Sequence, residues 1–186
     1  MSASQPLFVV ASTRDPGVVG NTEALARRAA AAMPGGRATT WLHLHGKQLP
    51  PFEDHRHDRA SYPMPEGDAL HVLQATLSAG ALVMVAPVYW YSIPSPLKLM
   101  LDHWSAWMRV PGLDFKARMA GKPMALITTS GHREKAQPMI DSVRLCAEFM
   151  AMPWHGALWG KGGAPGAIAD DAAALAAADT FLHDLP

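Results

Sequence analysis

The chain has 186 residues, a length that suits one globular domain with a buried core. Hydrophobic residues make up 49% of it and charged residues 17%, a composition that excludes an intrinsically disordered chain. The 16 Lys and Arg residues balance the 16 Asp and Glu residues, so no net charge attracts nucleic acid or an anionic membrane.

The cysteine content and the N-terminal segment indicate the cellular compartment in which the protein is expected. Cys146 is the single cysteine, which excludes an internal disulfide and favours a reducing compartment. The segment Met1–Pro6 has no basic region followed by a separate apolar stretch, so no signal peptide is expected. The longest apolar run, Ala81–Val88, is too short to cross a bilayer. The sequence therefore predicts a cytoplasmic protein.

Short apolar runs alternate along the chain with segments of helical period. The runs predict strands at Leu7–Ala11, Ala38–Leu44, Ala81–Ala86, Pro123–Thr128 and Gly156–Trp159. The segments between and after them predict helices at about 22–33, 67–79, 95–108, 135–151 and 169–183. Continuously apolar strands are typical of a parallel sheet covered by helices on both faces. The alternation predicts an open, doubly wound α/β sheet.

Two helices carry regular apolar stripes. In the third predicted helix the stripe consists of Leu97, Met100, Leu101, Trp104, Trp107 and Met108. In the fourth it consists of Met139, Ile140, Val143, Cys146, Ala147 and Met150. The position of Cys146 on this stripe favours a core role over a nucleophilic one. Trp104, Trp107 and Met108 exceed what one core needs and indicate a homodimer formed through this helix.

Ligands of such sheets bind beyond the carboxyl ends of the strands, where the strand order reverses. The first loop at this edge, Ser12–Thr22, contains hydroxyls, Arg14 and a helix start. A helix start and an arginine together bind phosphate, Gly20 permits close backbone approach, and Asn21 is expected to cap the helix. Glu23 opposes phosphate binding unless it points away. An ordinary strand-to-helix turn is the alternative.

The loops after the third and fourth strands also carry unusual residues. Tyr89, Trp90 and Tyr91 stand between Pro87 and Pro94 and offer flat apolar faces to a planar heteroaromatic ring. Alternatively, these aromatic residues only cover the end of the sheet. After the fourth strand, the hydroxyl of Ser130 and the backbone at Gly131 can approach a ring carbonyl or a substrate. His132 is either an acid or base or an exposed loop histidine without a catalytic task.

These motifs resemble those of the NADPH-dependent FMN reductase family. The resemblance covers nearly the whole chain and rests on Ser12-x-Arg14, Gly20-Asn21-Thr22, Leu49–Asp54, Pro87-Val88-Tyr89-Trp90, Pro94, Leu97-Lys98 and Asp102. It implies a flavodoxin-like three-layer sandwich with a five-stranded parallel sheet, forming one FMN-binding domain over residues 1–186. His103 departs from the pattern, because an arginine often follows the aspartate in this family.

The resemblance also implies site residues and a reaction. Ser12, Arg14, Asn21 and Thr22, with Gly20 beside them, would hold the FMN phosphate. Residues 87–91 (Pro87, Val88, Tyr89, Trp90 and Tyr91) would line the isoalloxazine, and Ser130 and Gly131 would close its pyrimidine side. Electrons would pass from NADPH or NADH through FMN to a quinone, a flavin, an azo or nitro compound or a metal ion by a ping-pong mechanism. Chemistry on FMN needs no catalytic side chain.

Several alternatives accompany this interpretation. The chain could be a non-enzymatic flavodoxin-like electron carrier or a flavin-binding protein, although carriers tend to be acidic and this chain is neutral. A homodimer or homotetramer is expected, without nucleic acid or membrane partners. The histidine pairs at 43/45 and 55/57 fit a solvated loop better than a metal site. Gly160–Gly166 is interpreted as a connector in preference to a segment that reaches the flavin of a neighbouring subunit.

Overall fold

The computed structural model describes residues 5–15, 17–59 and 61–185. The strands in these ranges are β1 (Pro6–Val10), β2 (Thr40–His43), β3 (Ala81–Val85), β4 (Met124–Ser130) and β5 (Trp154–Lys161). The α-helices there are α1 (Asn21–Ala31), α2 (Gly67–Ser78), α3 (Ser95–Trp107), α4 (Phe115–Met119), α5 (Arg133–Phe149) and α6 (Ala172–Phe181). The expectation that the chain has no signal peptide rests on Met1–Pro6, and residues 1–4 of that segment lie outside the described residues.

The strands form one parallel sheet in the order β2-β1-β3-β4-β5. The chain first moves outward from β1 to β2 and then returns to place β3 on the other side of β1. The strand order therefore reverses between β1 and β3, and this switch point is where doubly wound sheets bind ligands. The predicted α/β fold class is confirmed.

Burial on both faces of the sheet explains why the central strands are continuously apolar. In β1, Leu7 and Val9 pack on the face covered by α2, α3 and α5, while Phe8 and Val10 pack on the face covered by α1 and α6. This alternation follows from the two-residue period of a strand. Every residue of β1 and β3 is buried, as expected for strands with helices on both sides.

The tryptophans of α3 belong to the core of their own chain. Trp104 and Trp107 are buried, and each packs edge-on against Phe115, with ring centroids 5.7 and 5.4 Å apart. Phe115 begins α4, a helix that the sequence analysis did not predict. The expectation that these tryptophans exceed the needs of one core is therefore wrong, because α4 covers them.

Several element boundaries differ from the predictions by one to three residues, and the differences at α1, β4 and α6 lie in local features. Asn21 does not cap α1: the cap residue is Gly20 in an extended conformation, and no side chain accepts from the first turn. Strand β4 continues to Ser130, beyond the predicted end at Thr128. Helix α6 starts at Ala172 because the preceding residues form a 3₁₀ turn and the Asp171 side chain accepts from the N–H of Ala174 at 3.0 Å.

Helix length and polarity also bear on the membrane question. None of the helices in the described ranges has the length and apolarity that a membrane crossing requires.

Candidate functional site

The carboxyl ends of β1, β3, β4 and β5 surround a cleft of about 250 Å³. It lies where the strand order reverses, as the topology rule predicts. The residues that line it are Ser12, Arg14, Asn21, Thr22, Pro87, Val88, Tyr89, Thr129, Ser130, Gly131, Gly162 and Gly163. Among the predicted site residues, Gly20, Trp90 and Tyr91 do not line the cleft, whereas Thr129, Gly162 and Gly163 line it and were not predicted.

One end of the cleft is suited to an anion. Among the residues that the structure describes, no side chain caps the backbone N–H groups at the start of α1, so the positive end of the helix can face a ligand. The Arg14 side chain lies over Gly20: a methyl group at Gly20 would be 3.3 Å from Cδ and Nε of Arg14. Ser12 Oγ accepts from the N–H of Arg14 at 3.3 Å. A guanidinium, a hydroxyl and a helix start thus converge, as phosphate binding requires.

The acidic residue in the first turn of α1 is neutralised within the chain. The Glu23 carboxylate is buried and accepts from Nε and Nη2 of Arg27 at 2.9 and 2.6 Å. His43 Nε2 lies 3.3 Å from the same carboxylate oxygen. Because Glu23 is paired in this way, its presence does not oppose a phosphate at the helix start.

The side chain of Asn21 connects α1 to the segment after β5. Its Nδ2 donates to the carbonyl of Ala164 at 3.0 Å, and its Oδ1 accepts from the N–H of Ile168 at 3.4 Å. These contacts hold the β5–α6 segment against the start of α1. The N–H of Gly162 also donates to the Ser130 carbonyl at 2.8 Å, which fixes the segment to the end of β4. Gly162 and Gly163 form one wall of the cleft, so the segment interpreted as a connector contributes to its lining.

The hydroxyls of Thr22 and Thr129 join α1 to the end of β4. Their Oγ1 atoms are 2.5 Å apart, and both residues are buried. A buried hydroxyl that loses its only partner keeps its desolvation cost, whereas removal of both hydroxyls leaves no unsatisfied group. The pair therefore fixes the floor of the cleft as a unit.

Thr22→Val alone is expected to lower the free energy of unfolding of the flavin-free protein by about 1–2 kcal/mol. Thr129→Val should have a similar effect, and the double variant should cost less than the two single costs added together. Denaturant unfolding of the four proteins measures this coupling. Strictly additive costs would show that the two hydroxyls do not depend on each other.

The other end of the cleft is formed by the loop after β3. The N–H of Val88 donates to the Thr129 carbonyl at 3.2 Å, which fixes the loop to β4. Tyr89 and Ser92 exchange two backbone hydrogen bonds of 3.0 Å, which closes a two-residue turn formed by Trp90 and Tyr91. Both turn residues have positive φ, 50° and 63°, a region that aromatic residues seldom adopt.

This turn directs two aromatic side chains away from the cleft. The Trp90 side chain is 94% exposed and Tyr91 is 55% exposed, while Tyr89 borders the cleft. The Tyr89 hydroxyl lies 3.4 Å from Thr13 Oγ1 and thereby links the β3 loop to the β1 loop. Pro87, Val88 and Tyr89 thus supply the apolar lining, and Trp90 and Tyr91 stand at the tip of the hairpin.

The end of β4 is fixed by side-chain hydrogen bonds. Ser130 Oγ donates to the carbonyl of His132 at 2.7 Å and accepts from the indole N–H of Trp159 at 2.8 Å. His132 itself is exposed and does not border the cleft. A methyl group at Gly162 would lie 3.0 Å from Cβ of Thr129, a tight contact, so glycine favours this close approach of β5 to β4.

The structure places one histidine of each pair, His43 and His55, beside carboxylates. Within the described ranges, no group of three or more His, Cys, Asp or Glu side chains is arranged to hold a metal ion. His55 instead lies between Asp58 and Glu53, with nitrogen-to-oxygen distances of 3.0 and 3.1 Å. The hydrogen bond to Asp58 and then that to Glu53 raise the pKa of His55.

His103, the departure from the family pattern, is buried and donates to the Pro50 carbonyl at 2.8 Å.

A larger indentation of about 490 Å³ lies between α3 and α5. Most of its lining is apolar, and it receives no loop from the carboxyl edge of the sheet. The smaller cleft is the better candidate active site, because it combines an uncapped helix start, an arginine, hydroxyls and an aromatic loop at the switch point.

A flavodoxin-like sheet with an uncapped helix start, an arginine and an aromatic loop at its switch point is typical of proteins that bind flavin mononucleotide. The NADPH-dependent FMN reductase family matches residues 7–166, and the chain belongs to this family. FMN is accordingly its cofactor and NAD(P)H its co-substrate, as the resemblance implies. The residues of the cleft fit the group, because cationic and apolar parts face the same space.

Two proteins of Bacillus subtilis are similar to this chain over most of its length. The chain is 31% identical over 166 residues to YwqN of Bacillus subtilis (strain 168), which is named as a putative NAD(P)H-dependent FMN-containing oxidoreductase. The aligned region covers 88% of this chain and 90% of the relative. A Trp repressor binding protein from Bacillus subtilis superposes with a TM-score of 0.76 at 27% identity, covering 97% of this chain and 98% of the other.

An FMN-dependent NADH-azoreductase from Bacillus anthracis, solved in complex with FMN, shares the fold. Its TM-score is 0.65 at 13% identity, with coverage of 95% of this chain and 94% of the other.

Proposed function

We propose that the protein moves electrons from NAD(P)H through FMN to a small acceptor, in the manner of an NAD(P)H-dependent FMN or quinone reductase. The acceptor would be a quinone, a flavin, an azo or nitro compound or a metal ion. When bound, FMN would supply the hydride and electron-transfer chemistry, and the cleft residues would hold it. We propose a ping-pong order, in which the oxidised nicotinamide leaves before the acceptor binds. The observation that carries the proposal is the cleft, which unites an anion site with an aromatic loop.

The proposed roles of the residues follow their positions along the cleft. Ser12, Arg14, Asn21 and Thr22 would hold the phosphate, with Gly20 giving Arg14 its place over the helix start. Pro87, Val88, Tyr89, Trp90 and Tyr91 would border the isoalloxazine. Ser130 and Gly131 would meet its pyrimidine side. Support for this arrangement comes from the lining of the cleft, which includes nine of these twelve residues; the exceptions are Gly20, Trp90 and Tyr91.

Trp90 and Tyr91 would contribute through their backbone. The amides of Val88, Tyr89 and Ser92 already donate to carbonyls of the chain. Within the described ranges, the amides of Trp90 and Tyr91 have no backbone acceptor, so they can donate to a polar edge of the ring. The positive φ values at these two positions are consistent with strain held for such a task.

We assign no side chain the role of essential acid or base. His132 is exposed and lies outside the lining of the cleft, and the cofactor supplies the chemistry. We further propose one domain over residues 1–186, a homodimer or homotetramer, and a cytoplasmic location that rests on the single cysteine.

The test combines a spectrum with an assay. Purified protein loaded with FMN should be yellow, and it should oxidise NADPH or NADH faster than free FMN does when a quinone is present. Parallel assays with azo, nitro and flavin acceptors rank the substrate classes. A protein that binds FMN but gives no turnover above the free-FMN rate would be an electron carrier, and a protein that takes up no FMN would overturn the proposal.

A further inference from the structure

The side chain and the carbonyl of Ser130 are both held by hydrogen bonds at the point where β4 ends and the cleft begins. Ser130 Oγ accepts from the indole N–H of Trp159 at 2.8 Å and donates to the carbonyl of His132 at 2.7 Å. The Ser130 carbonyl accepts from the N–H of Gly162 at 2.8 Å. Trp159 belongs to β5 and Gly162 follows that strand, so β5 and its continuation fix Ser130 in the wall of the cleft.

The indole N–H of Trp159 determines the direction of the hydroxyl proton of Ser130. An indole nitrogen can only donate, so Ser130 Oγ is the acceptor in that pair. The hydroxyl has one proton, and the His132 carbonyl can only accept it. The two bonds therefore support each other and hold the turn from Ser130 to His132. Trp159 is partly buried and packs on the face of the sheet covered by α2, α3 and α5, which holds the donor itself in place.

The turn from Ser130 to His132 carries backbone donors that the chain does not use. Gly131 borders the cleft, and His132 is the residue before α5. In the part of the chain that the structure describes, the N–H groups of Gly131 and His132 have no backbone acceptor. The His132 side chain does not cap the first turn of α5, so the positive end of this 17-residue helix adds to them. Such donors stabilise a ligand group that gains negative charge.

We infer that Trp159 is a positioning residue for the flavin and acts through the hydroxyl of Ser130. The inference rests on the proposed function, in which Ser130 and Gly131 meet the pyrimidine side of the ring. Reduction of a flavin places negative charge on that side, so N–H donors there stabilise the reduced form more than the oxidised form. Because Trp159 holds the turn that carries these donors, it raises the reduction potential of the bound FMN. Trp159 itself lines a neighbouring depression and not the cleft.

Trp159→Phe tests this role, because it removes the indole N–H and keeps an aromatic ring. The variant should lose about tenfold more affinity for reduced FMN than for oxidised FMN. For a two-electron couple this lowers the midpoint potential by about 30 mV. A spectroscopic redox titration of the FMN-loaded protein measures the potential. Trp154→Phe is the matched control: it makes the same substitution at the other end of β5, away from the cleft, and should leave the potential unchanged.

Ser130→Ala tests whether Trp159 acts through the hydroxyl. It should lower the potential at least as much as Trp159→Phe, and adding Trp159→Phe to it should cause no further shift. NMR of the flavin-free protein gives a second readout. The indole proton of Trp159 should exchange slowly with solvent in the wild type and faster in Ser130→Ala, because the acceptor is lost.

Three results would overturn the inference while the FMN-loaded wild type stays yellow and active. They are an unchanged potential in Trp159→Phe, equal shifts in Trp159→Phe and Trp154→Phe, and additive shifts in the double variant. A wild type that takes up no FMN would contradict the proposed function itself, and the inference with it.

Discussion

Replacing Arg14 with alanine is expected to weaken FMN binding by about 1.5–3 kcal/mol, which corresponds to a loss of roughly 10- to 150-fold in affinity. The guanidinium lies over Gly20 at the uncapped start of α1, where the phosphate is proposed to bind. A charged hydrogen bond to phosphate accounts for a loss of this size. Fluorescence titration of the flavin-free protein with FMN measures it.

Riboflavin separates the proposed role of Arg14 from a general disturbance of its loop. Riboflavin lacks the phosphate, so Arg14→Ala should leave its affinity nearly unchanged. Arg118→Ala is the matched control: it removes the same charge from α4, which precedes β4 and therefore lies at the opposite edge of the sheet. Unchanged FMN affinity in Arg14→Ala would move the phosphate site elsewhere. Equal losses for both flavins would assign Arg14 a structural role.

The parts of the fold that could be predicted are those with a local signal. Continuous apolarity identified β1 and β3 because both faces of these strands are buried. The stripe of α3 was also correct, since Leu97, Met100, Trp104 and Trp107 all face the core. Helix α4 escaped prediction because five residues are too few to establish a helical period. That omission led directly to the wrong interpretation of the tryptophans.

The residues of the candidate site also fall into those that could be predicted from the sequence and those that could not. Ser12, Arg14 and the loop after β3 could be identified because they follow predicted strands at the edge where ligands bind. Gly162 and Gly163 could not, since their position depends on the pairing of β5 with β4 and on the hydrogen bonds of Asn21 to residues more than 140 positions away. Trp90 and Tyr91 form a turn with positive φ values, a conformation that Asn and Gly normally adopt. The turn could therefore not be predicted from the residue types.

A second large effect is expected at Gly160 in β5. A methyl group there would lie 2.5 Å from Cδ1 of Ile168, 3.0 Å from Cδ2 of Leu25 and 3.2 Å from Cβ of Ala174. The end of Ile168 can rotate away, but Cβ of Ala174 is fixed to the backbone of α6. Gly160→Val should therefore cost about 3 kcal/mol of the free energy of unfolding. For a chain of this length that lowers the unfolding temperature by about 6–12 °C.

Gly160→Val should also disturb the cleft, because the residues that surround Gly160 belong to the segments that position the cleft residues. Leu25 belongs to α1, whose start forms the anion site, and the N–H of Ile168 donates to Asn21. Gly131→Val is the control for thermal unfolding of the flavin-free protein, since among the described residues only its chain neighbours come within 4 Å of a methyl group at Gly131. An unchanged unfolding temperature in Gly160→Val would mean that α1 and α6 separate without cost. In that event their close packing against β5 is not what positions Asn21 at the cleft.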